Sequence, residues 1–236
     1  MSDTIEISGL CKSFSVEGRT LEVLKNLNLS VPANEITVLL GRSGCGKTTL
    51  LRLIGGLDRD YTGTISTPHN TRPAFVFQEA RLMPWLSVSQ NIAFGLKKKD
   101  AKSEEIHRLI TLTGLDGFAD ALPQQLSGGM QQRTALARAL ALHPGFILMD
   151  EPFAALDHFT REKMQQVLLD IHKKNRCGVL FVTHSIDEAL AIADRIVILE
   201  NYQAKKVYPV GDHWRESSSE ADRRALRQDI LSSIQL

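Results

Sequence analysis

The residues that decide the fold are Gly41-Arg42-Ser43-Gly44-Cys45-Gly46-Lys47-Thr48, which match the phosphate-binding pattern G-x-x-x-x-G-K-[ST]. They follow an apolar run at 36–40 and open a helical segment at 48–54, the context that this P-loop pattern requires. We expect Gly41, Gly44 and Gly46 to take backbone conformations closed to other residues, so that several N–H groups point at phosphate oxygens beside the positive helix end. Lys47 is then expected to place a cation on bound phosphates, and the Thr48 hydroxyl to ligate Mg²⁺.

Apolar runs elsewhere in the chain indicate the rest of the core. The runs at 146–149, 179–182 and 196–199 are apolar at every position, which fits strands of a parallel sheet covered by helices. The segments 4–8 and 27–31 alternate apolar and polar residues, which favours antiparallel strands with one face in water. The sequence therefore predicts an α/β fold with a smaller antiparallel β part.

Helix signals divide the chain further. Ser87-x-x-Gln90 and Ser185-x-x-Glu188 are each predicted to form a capping box at a helix start. Apolar residues at 106, 109 and 110 mark one helix, and those at 164, 167, 168 and 171 form one face of another. Because 86–143 shows no strand pattern, we predict a helical subdomain there, inserted into a core formed by 1–85 and 144–211. A single C-terminal helix is predicted over 212–236, with an apolar side formed by Ala221, Ala225, Ile230 and Ile234.

The composition excludes several classes of protein. The chain is 43% hydrophobic and 23% charged, an ordinary globular balance, and its net charge of +1 argues against a nucleic-acid partner. No apolar stretch reaches the ~18 residues of a membrane-spanning helix, and the N-terminus lacks the pattern of a secretory signal. The three cysteines are an odd number without a C-x-x-C pair. We therefore expect an intracellular protein with reduced thiols and neither disulfides nor a zinc site.

Two further segments are predicted to complete the chemistry of the P-loop. Asp150 and Glu151 follow the run at 146–149; Asp150 is expected to support Mg²⁺, and Glu151 to polarise an attacking water. Ser127, Gly128 and Gly129 open a helix rich in Ala and Leu, which forms a second helix N-terminus able to face a phosphate. Two such helix ends on one chain could face one nucleotide or two.

The segment Leu126-Ser127-Gly128-Gly129-Met130-Gln131 closely resembles the signature motif of the ABC ATPase family, although Met130 stands where glutamine is usual. The resemblance covers nearly the whole chain and implies a P-loop NTPase (RecA-like) core with an antiparallel β subdomain and an inserted helical signature subdomain. It also implies that ATP contacts the loop residues Gly41, Arg42, Ser43, Gly44, Cys45, Gly46, Lys47, Thr48 and Thr49. In that family the signature helix faces the ATP of a partner subunit, which implies this contact for Ser127, Gly128 and Gly129.

Four other residues match characteristic positions of that family. Phe14 matches the aromatic residue that stacks on adenine, where tyrosine is commoner; the alternative is a core aromatic. Gln78 matches the glutamine that touches Mg²⁺ or water and links the core to the helical subdomain. Asp157 falls in the match to the D-loop at the dimer interface, and His184 matches the switch histidine that contacts the γ-phosphate. The resemblance thus implies an ATPase with the catalytic residues Lys47, Gln78, Glu151 and His184.

The segments 78–86 and 91–96 indicate which group of the family is most similar. The element Leu82-Met83-Pro84-Trp85 looks like that of importers for nitrate, taurine and aliphatic sulfonates, although Ala80 stands where proline is frequent. This resemblance implies a dimer, in the simplest case a homodimer, that closes on ATP and Mg²⁺ and reopens after hydrolysis. It also implies a peripheral position on the cytoplasmic face of the membrane, with an integral permease as partner and an extracytoplasmic solute-binding protein as an indirect one. The alternative is an ABC ATPase that drives an envelope-remodelling complex, because such proteins are also single short cassettes.

Cys45 lies inside the P-loop. We expect its thiol to pack quietly; the alternative is a reactive thiol, because a helix N-terminus lowers the pKa of a thiol. Its alkylation is then expected to abolish ATP binding, and bound ATP to protect it.

Overall fold

The described residues form a six-stranded sheet, a three-stranded sheet and eight α-helices. A computed structural model of the chain defines residues 4–68, 73–97, 103–175 and 177–235. The strands are β1 (Thr4–Val16), β2 (Arg19–Pro32), β3 (Ile36–Leu40), β4 (Thr62–Ser66), β5 (Ala74–Val76), β6 (Phe146–Asp150), β7 (Gly178–Thr183), β8 (Arg195–Glu200) and β9 (Gln203–Pro209). The helices are α1 (Lys47–Ile54), α2 (Val88–Ala93), α3 (Ser103–Leu112), α4 (Gly128–Ala141), α5 (His158–Asn175), α6 (Ile186–Ile192), α7 (Gly211–Ser217) and α8 (Glu220–Gln235).

The central sheet has the strand order β5-β6-β7-β3-β8-β9. Neighbouring strands from β5 to β8 pair in parallel, and β9 pairs antiparallel with β8. Every residue of β3, β6 and β7 is buried, as expected for strands with helices on both faces. The predicted parallel core is therefore confirmed. Because the carboxyl ends of parallel strands meet at one edge, the loops after β3, β5, β6 and β7 converge there.

A second, antiparallel sheet has the order β2-β1-β4, which confirms the predicted antiparallel β part. Ile7 of β1, Leu50 and Leu51 of α1, and Leu148 and Leu180 of the central sheet belong to one buried apolar cluster. Because α1 shares this cluster with strands of both sheets, the P-loop is anchored firmly at its helical end.

Between β5 and β6 the described residues form helices and no strand. Helices α2, α3 and α4 pack on one another and bury Ile92, Leu109 and Leu136. The predicted capping box at the start of α2 is confirmed, because the Ser87 hydroxyl accepts from the N–H of Gln90 and the Gln90 amide oxygen accepts from the N–H of Ser87.

The second predicted capping box, at the start of α6, is only half formed. The Ser185 hydroxyl accepts from the N–H of Glu188 at 3.3 Å. The Glu188 carboxylate accepts from the Thr183 hydroxyl instead of returning to Ser185, whose N–H donates to the Thr183 oxygen. Glu188 is buried, so a partner inside the protein replaces the one that the local sequence offers.

The C-terminal segment forms two helices where one was predicted over 212–236. Helix α7 ends at Ser217, Ser218 is extended, and the Ser219 hydroxyl caps α8 by accepting the N–H of Asp222. Serine and aspartate favour such caps because their oxygens satisfy free backbone N–H groups. Residue 236 lies outside the described residues.

The predicted apolar side of this segment is also partly wrong. Ile230 is buried and Ile234 half-buried, whereas Ala221 and Ala225 are exposed. An alanine methyl group carries too little apolar surface to decide which side of a helix packs on the protein. No helix in the described ranges combines the length and the apolar character that crossing a bilayer requires.

Candidate active site

The P-loop turns between the end of β3 and the start of α1. Gly44 and Gly46 have φ angles of +83° and +100°, which residues with a Cβ atom rarely adopt. Gly46 is the N-cap of α1, and no side chain caps this helix. The first N–H groups of a helix lack partners inside the helix, so those of α1 are available to an anion.

Gly41 departs from the expectation that all three loop glycines need unusual backbone angles. Its φ angle is not positive. A Cβ atom at this position would instead clash with the carbonyl oxygen of Leu199 and with the sulfur of Cys45. Gly41 is therefore required by the close approach of the loop to β8.

The Lys47 side chain is buried against the loop that precedes it. Its ammonium donates to the carbonyl oxygens of Gly41, at 2.8 Å, and of Arg42, at 2.9 Å. These bonds hold the ammonium beside the N-terminus of α1. The full charge of the ammonium and the partial positive charge of the helix N-terminus both favour a negatively charged ligand.

The Cys45 thiol agrees with the expectation of quiet packing and not with the alternative of a lowered pKa. The half-buried thiol lies 3.8 Å from the Lys47 ammonium, which favours the thiolate, but burial outweighs this charge and raises the pKa of Cys45. Because the thiolate is the reactive form, desolvation makes Cys45 less reactive than its position at a helix start predicts.

Strand β6 ends at Asp150, next to the P-loop. The Thr48 hydroxyl donates to a carboxylate oxygen of Asp150 at 3.0 Å, which brings together two side chains predicted to support Mg²⁺. Burial raises the pKa of Asp150, although the Thr48 hydrogen bond lowers it, and the charge of Glu151 raises it further. A carboxylate in this environment is stabilised by a nearby cation.

Glu151 follows Asp150 in a strained backbone conformation. Its φ angle of +43° lies in the left-handed region, which costs a residue other than glycine about 1–3 kcal/mol. Its N–H donates to the carbonyl oxygen of Val182 at 3.0 Å. The Glu151 carboxylate lies 3.1 Å from Nδ1 of His184, so the predicted base and the predicted switch histidine are within hydrogen-bond distance.

A cavity of about 500 Å³ brings most of these residues together. This volume is typical of small-molecule sites. Its walls come from the P-loop, α1 and the loops after β5, β6 and β7, and the lining residues are Val23, Ser43, Gly44, Gly46, Lys47, Thr48, Thr49, Gln78, Glu151 and His184. We call it the active-site cavity. Val23, on β2, was not predicted, because a valine in a strand carries no sequence signal of a ligand contact.

Four residues predicted to contact the nucleotide of their own chain do not line this cavity, and they are Phe14, Gly41, Arg42 and Cys45. Arg42 and Cys45 line a second cavity beside the P-loop, together with Leu199 and Tyr202. Phe14, on β1, is partly exposed, and the Lys12 ammonium lies 4.7 Å from the centre of its ring. Phe14 is thus a surface aromatic and not part of the buried core.

The signature and D-loop residues do not line the active-site cavity of their own chain. The Ser127 hydroxyl caps α4 by accepting the N–H of Met130. Gly129 approaches the side chain of Leu156, so the start of α4 lies against the D-loop segment. Asp157 caps α5 by accepting bonds from the hydroxyl and N–H of Thr160, and these bonds lower the pKa of Asp157.

A buried polar network that the sequence did not reveal lies next to His184. The Thr183 hydroxyl donates to one Glu188 oxygen at 2.5 Å, and the Arg161 guanidinium lies 3.4 Å from the other. Arg161 also donates to the carbonyl oxygen of Leu156 at 2.9 Å. Because Thr183 and Glu188 are almost fully buried, the network ties the D-loop segment to the residue that precedes His184.

Helix α4 also holds the segment that carries Gln78. Gln132, a buried residue of α4, donates to the carbonyl oxygen of Phe77 at 2.8 Å. Arg138, further along α4, donates to the carbonyl oxygen of Arg81 at 2.9 Å. These bonds connect the helix that begins at the signature motif with the wall of the active-site cavity.

The loop between Gln78 and α2 is held by the side chain of Asn91, a fully buried residue of α2. Its amide nitrogen donates to the carbonyl oxygens of Met83, Leu86 and Ser87, and its amide oxygen accepts from the N–H of Met83. Trp85 lies between these anchor points and is 71% exposed. The loop therefore presents the indole to solvent without using it for packing.

A P-loop on a parallel sheet, with two carboxylates at the end of β6, two positions from β3 in that sheet, defines a P-loop NTPase. The family model described as "ABC transporter" matches residues 24–154, more than half of the chain. The chain belongs to the ABC transporter family, and as a member with this fold it binds and hydrolyses ATP.

Relatives with curated names match along nearly the whole chain. The aliphatic sulfonates import ATP-binding protein SsuB of Bacillus subtilis (strain 168) is 43% identical, over 100% of this chain and 95% of the relative. SsuB 1 of Pseudomonas savastanoi pv. phaseolicola (strain 1448A / Race 6) is 50% identical over 75% of this chain and 74% of the relative. Among solved structures, the dimeric post-hydrolysis state of the ATP-binding cassette MJ0796, bound to ADP and Pi, superposes with a TM-score of 0.80 at 29% identity, over 87% of this chain and 98% of that chain. These similarities confirm the predicted family and fold class.

Proposed function

We propose that this chain is the ATP-hydrolysing subunit of a membrane importer for a small solute of the sulfonate, taurine or nitrate type. The observation that carries the proposal is the active-site cavity, in which Lys47, Glu151 and His184 come together. The names of full-length relatives support aliphatic sulfonates as the solute class and disfavour the envelope-remodelling alternative.

In this proposal the P-loop and the start of α1 hold the phosphates of ATP. The N–H groups of α1 supply a partial positive charge, and the Lys47 ammonium supplies a full one. The loop residues Gly41 to Thr49 enclose the phosphates, and Arg42 and Cys45 contact them from the edge of the loop. The partly exposed ring of Phe14 stacks on adenine, and its position on the surface of β1 supports this role.

The residues present also fit a Mg²⁺ ion. Thr48 and Asp150 offer oxygen atoms 3.0 Å apart, and Gln78 lines the active-site cavity together with Thr48. Mg²⁺ is usually held by one or two protein ligands together with substrate phosphates. In keeping with this, the described residues contain no group of three or more His, Cys, Asp or Glu that could hold a metal unaided. When bound, Mg²⁺ neutralises charge that develops on the phosphates.

Glu151 is the proposed base, and His184 its partner. The carboxylate is mostly buried on the cavity wall, where it can accept a hydrogen bond from a water that attacks the γ-phosphate. His184 holds the carboxylate at 3.1 Å and, with its exposed ring, contacts the γ-phosphate.

Ser127, Gly128 and Gly129 are proposed to contact the ATP of a second copy of the chain. None of them lines the cavity of its own chain, and the capped start of α4 is a second helix N-terminus suited to phosphate. Asp157 then lies at the interface between the copies. ATP closes this dimer because it contacts the P-loop of one copy and the signature residues of the other only in the closed state. Hydrolysis removes the γ-phosphate and with it the preference of the nucleotide for the closed state.

The partner that receives this motion is proposed to be an integral permease, with the dimer on its cytoplasmic face. The loop around the exposed Trp85 is bonded to α4 through Arg138, so its position follows the signature helix. A solute-binding protein outside the membrane delivers the solute and does not contact this chain.

The variant Glu151→Gln tests the catalytic part of the proposal. We expect phosphate release to fall at least 100-fold, because the amide is no base, while ATP still binds and the closed dimer accumulates on size-exclusion chromatography. Glu162→Gln, an exposed change on α5, serves as the matched control and should turn over normally. Intact turnover without a trapped dimer would remove Glu151 from the role of base.

Mass spectrometry of proteins that co-purify with the tagged chain from its own membranes tests the transport part. A multi-span permease is the expected partner. An envelope-remodelling membrane protein, or the lack of any membrane partner, would overturn the importer and leave the ATPase unaffected.

A further inference from the structure

A third cavity, of about 420 Å³ and suited to a small molecule, lies between α6, α7 and α8. We call it the C-terminal cavity. It shares no lining residue with the active-site cavity. Its charged lining consists of four arginines and two carboxylates, which are Arg215, Arg223, Arg224, Arg227, Asp187 and Glu220. Arg215 pairs with Asp194 at 3.0 Å, a carboxylate outside this lining, so the cavity gathers one excess positive charge.

The charge of Arg223 is left unneutralised by the described carboxylates. Its guanidinium donates to the Ser218 hydroxyl at 2.9 Å and to the carbonyl oxygen of Arg215 at 2.6 Å. It also lies 6.0 Å from the centre of the Trp214 ring. These neutral partners orient the guanidinium and leave its full charge to attract an anion.

Arg227, on the same helix, is only weakly engaged. It pairs with Asp187 through distances of 3.1 and 3.4 Å, and both side chains are largely exposed. Such exposed pairs contribute little stability, so an incoming acidic group can replace Asp187 at small cost. Arg223 and Arg227 lie one helical turn apart on α8, close enough to share one ligand.

The remaining wall of the C-terminal cavity is apolar. Leu190 and Ala191 contribute it from α6, and Trp214 contributes it from α7. An inorganic anion would leave this surface in water, whereas an aliphatic chain would cover it and add the free energy of apolar burial.

We propose that the C-terminal cavity binds a small organic anion. Its acidic group faces Arg223 and Arg227, and its aliphatic part lies on Leu190 and Trp214. The ligand thereby contacts α6, the helix that directly follows His184 and Ser185.

Fluorescence of Trp214 tests this binding. The chain has two tryptophans, so in a full-length Trp85→Phe variant Trp214 is the reporter. We expect hexane-1-sulfonate to change its fluorescence saturably, with half-saturation below about 1 mM, while saturating ADP occupies the P-loop. Hexan-1-ol, which lacks the charge, and sulfate, which lacks the chain, should each bind at least ~10-fold more weakly.

Substitutions locate the site. Arg223→Gln and Arg227→Gln should each weaken hexane-1-sulfonate binding about 10-fold or more, whereas Arg223→Lys, which keeps the charge but not the planar fork, should weaken it less than Arg223→Gln. Arg108→Gln removes the same charge from an exposed ion pair on α3 and should leave binding unchanged.

Three results would overturn the proposal. They are the lack of saturation up to about 10 mM, equal binding of hexan-1-ol, and unchanged binding in Arg223→Gln. Sedimentation of the chain with anionic phospholipid vesicles, without any response to hexane-1-sulfonate, would also overturn it, because the arginines would then face a membrane surface and not a small anion.

Discussion

Asp150 carries its charge where burial disfavours it, so we expect Asp150→Asn to stabilise the folded chain near pH 7. The raised pKa means that the folded state holds the proton more tightly than the unfolded state, whose pKa is near 3.8. Stability is therefore lost as the pH rises through the interval between the two values. Asparagine does not titrate and has no such loss. We therefore expect Asp150→Asn to raise the free energy of unfolding by about 0.5–2 kcal/mol at pH 7, and this gain should disappear below the pKa of the unfolded state.

Urea unfolding of the wild type and of Asp150→Asn, at pH 7 and at a pH below 3.8, measures this difference in the free energy of unfolding. Asp157→Asn is the matched control, because bonds from Thr160 lower the pKa of Asp157 and its charged form supports the fold. Loss of the Asp157 charge should lower the free energy of unfolding at neutral pH, whereas loss of the Asp150 charge should raise it. If Asp150→Asn were as unstable as Asp157→Asn at pH 7, the site would not be desolvated as described.

Cys45 is expected to react slowly with iodoacetamide at pH 7. Burial raises the pKa of its thiol, so the thiolate fraction should keep growing at pH values above 9.0, the ordinary value. Cys177, whose pKa burial raises to about 12, is an internal control that should react more slowly still. Mass spectrometry of the alkylated peptides gives both rates, and ATP should slow the reaction at Cys45. Full modification of Cys45 with unimpaired ATP binding would contradict its place at the phosphates.

At the scale of elements, the pairing of Glu188 with Thr183 and Arg161 joins α6, β7 and α5. Glu188→Ala leaves the buried Thr183 hydroxyl without its acceptor and the Arg161 guanidinium without its ion-pair partner. We expect a loss of about 2 kcal/mol or more in the free energy of unfolding, measured with urea.

The neighbouring variant Asp187→Ala removes an exposed carboxylate from the same turn of α6 and should cost less than about 1 kcal/mol. Because Thr183 precedes His184, ATP hydrolysis should also fall in Glu188→Ala and stay near normal in Asp187→Ala. Equal stability of the two variants would show that the buried network contributes nothing to the fold.

The central strands and the P-loop were predictable because each leaves a local signal. Buried parallel strands are apolar at every position, and β6, β7 and β8 lie within one residue of the runs at 146–149, 179–182 and 196–199. Their order was not predictable, since β3 pairs with β7 and β8 over more than 140 residues of chain. The network of Glu188 and the bond from Gln132 to Phe77 escaped prediction for the same reason. They join common polar residues that only the tertiary structure brings together.

For the whole molecule, the separation of signature and P-loop predicts that two copies share each site. A Cβ atom at Gly128 meets nothing within 4 Å, so Gly128→Asp should fold normally while its charge repels a phosphate. Lys47→Ala removes the cation of the P-loop. Each variant alone should be nearly inactive.

An equal mixture of Gly128→Asp and Lys47→Ala should regain activity, up to about a quarter of that of the wild type. Half of the dimers then contain one of each chain, and in those one of two sites is intact. Steady-state phosphate release measures the recovery, and each variant mixed with itself is the control. A mixture as inactive as its components would mean that one chain supplies both halves of a site.

The loop around Trp85 is closed by the four hydrogen bonds of Asn91, all of them to main-chain atoms. Main-chain carbonyl groups are common to every residue and the N–H to every residue except proline, so the tether imposes no constraint on the side chains of residues 84 and 85. Pro84 and Trp85 can therefore change over evolutionary time while the loop keeps its shape. Duplicated copies of such a gene could therefore diverge at Pro84 and Trp85 toward different permeases. Selection would then act on the contact between this loop and the permease and leave the fold unchanged.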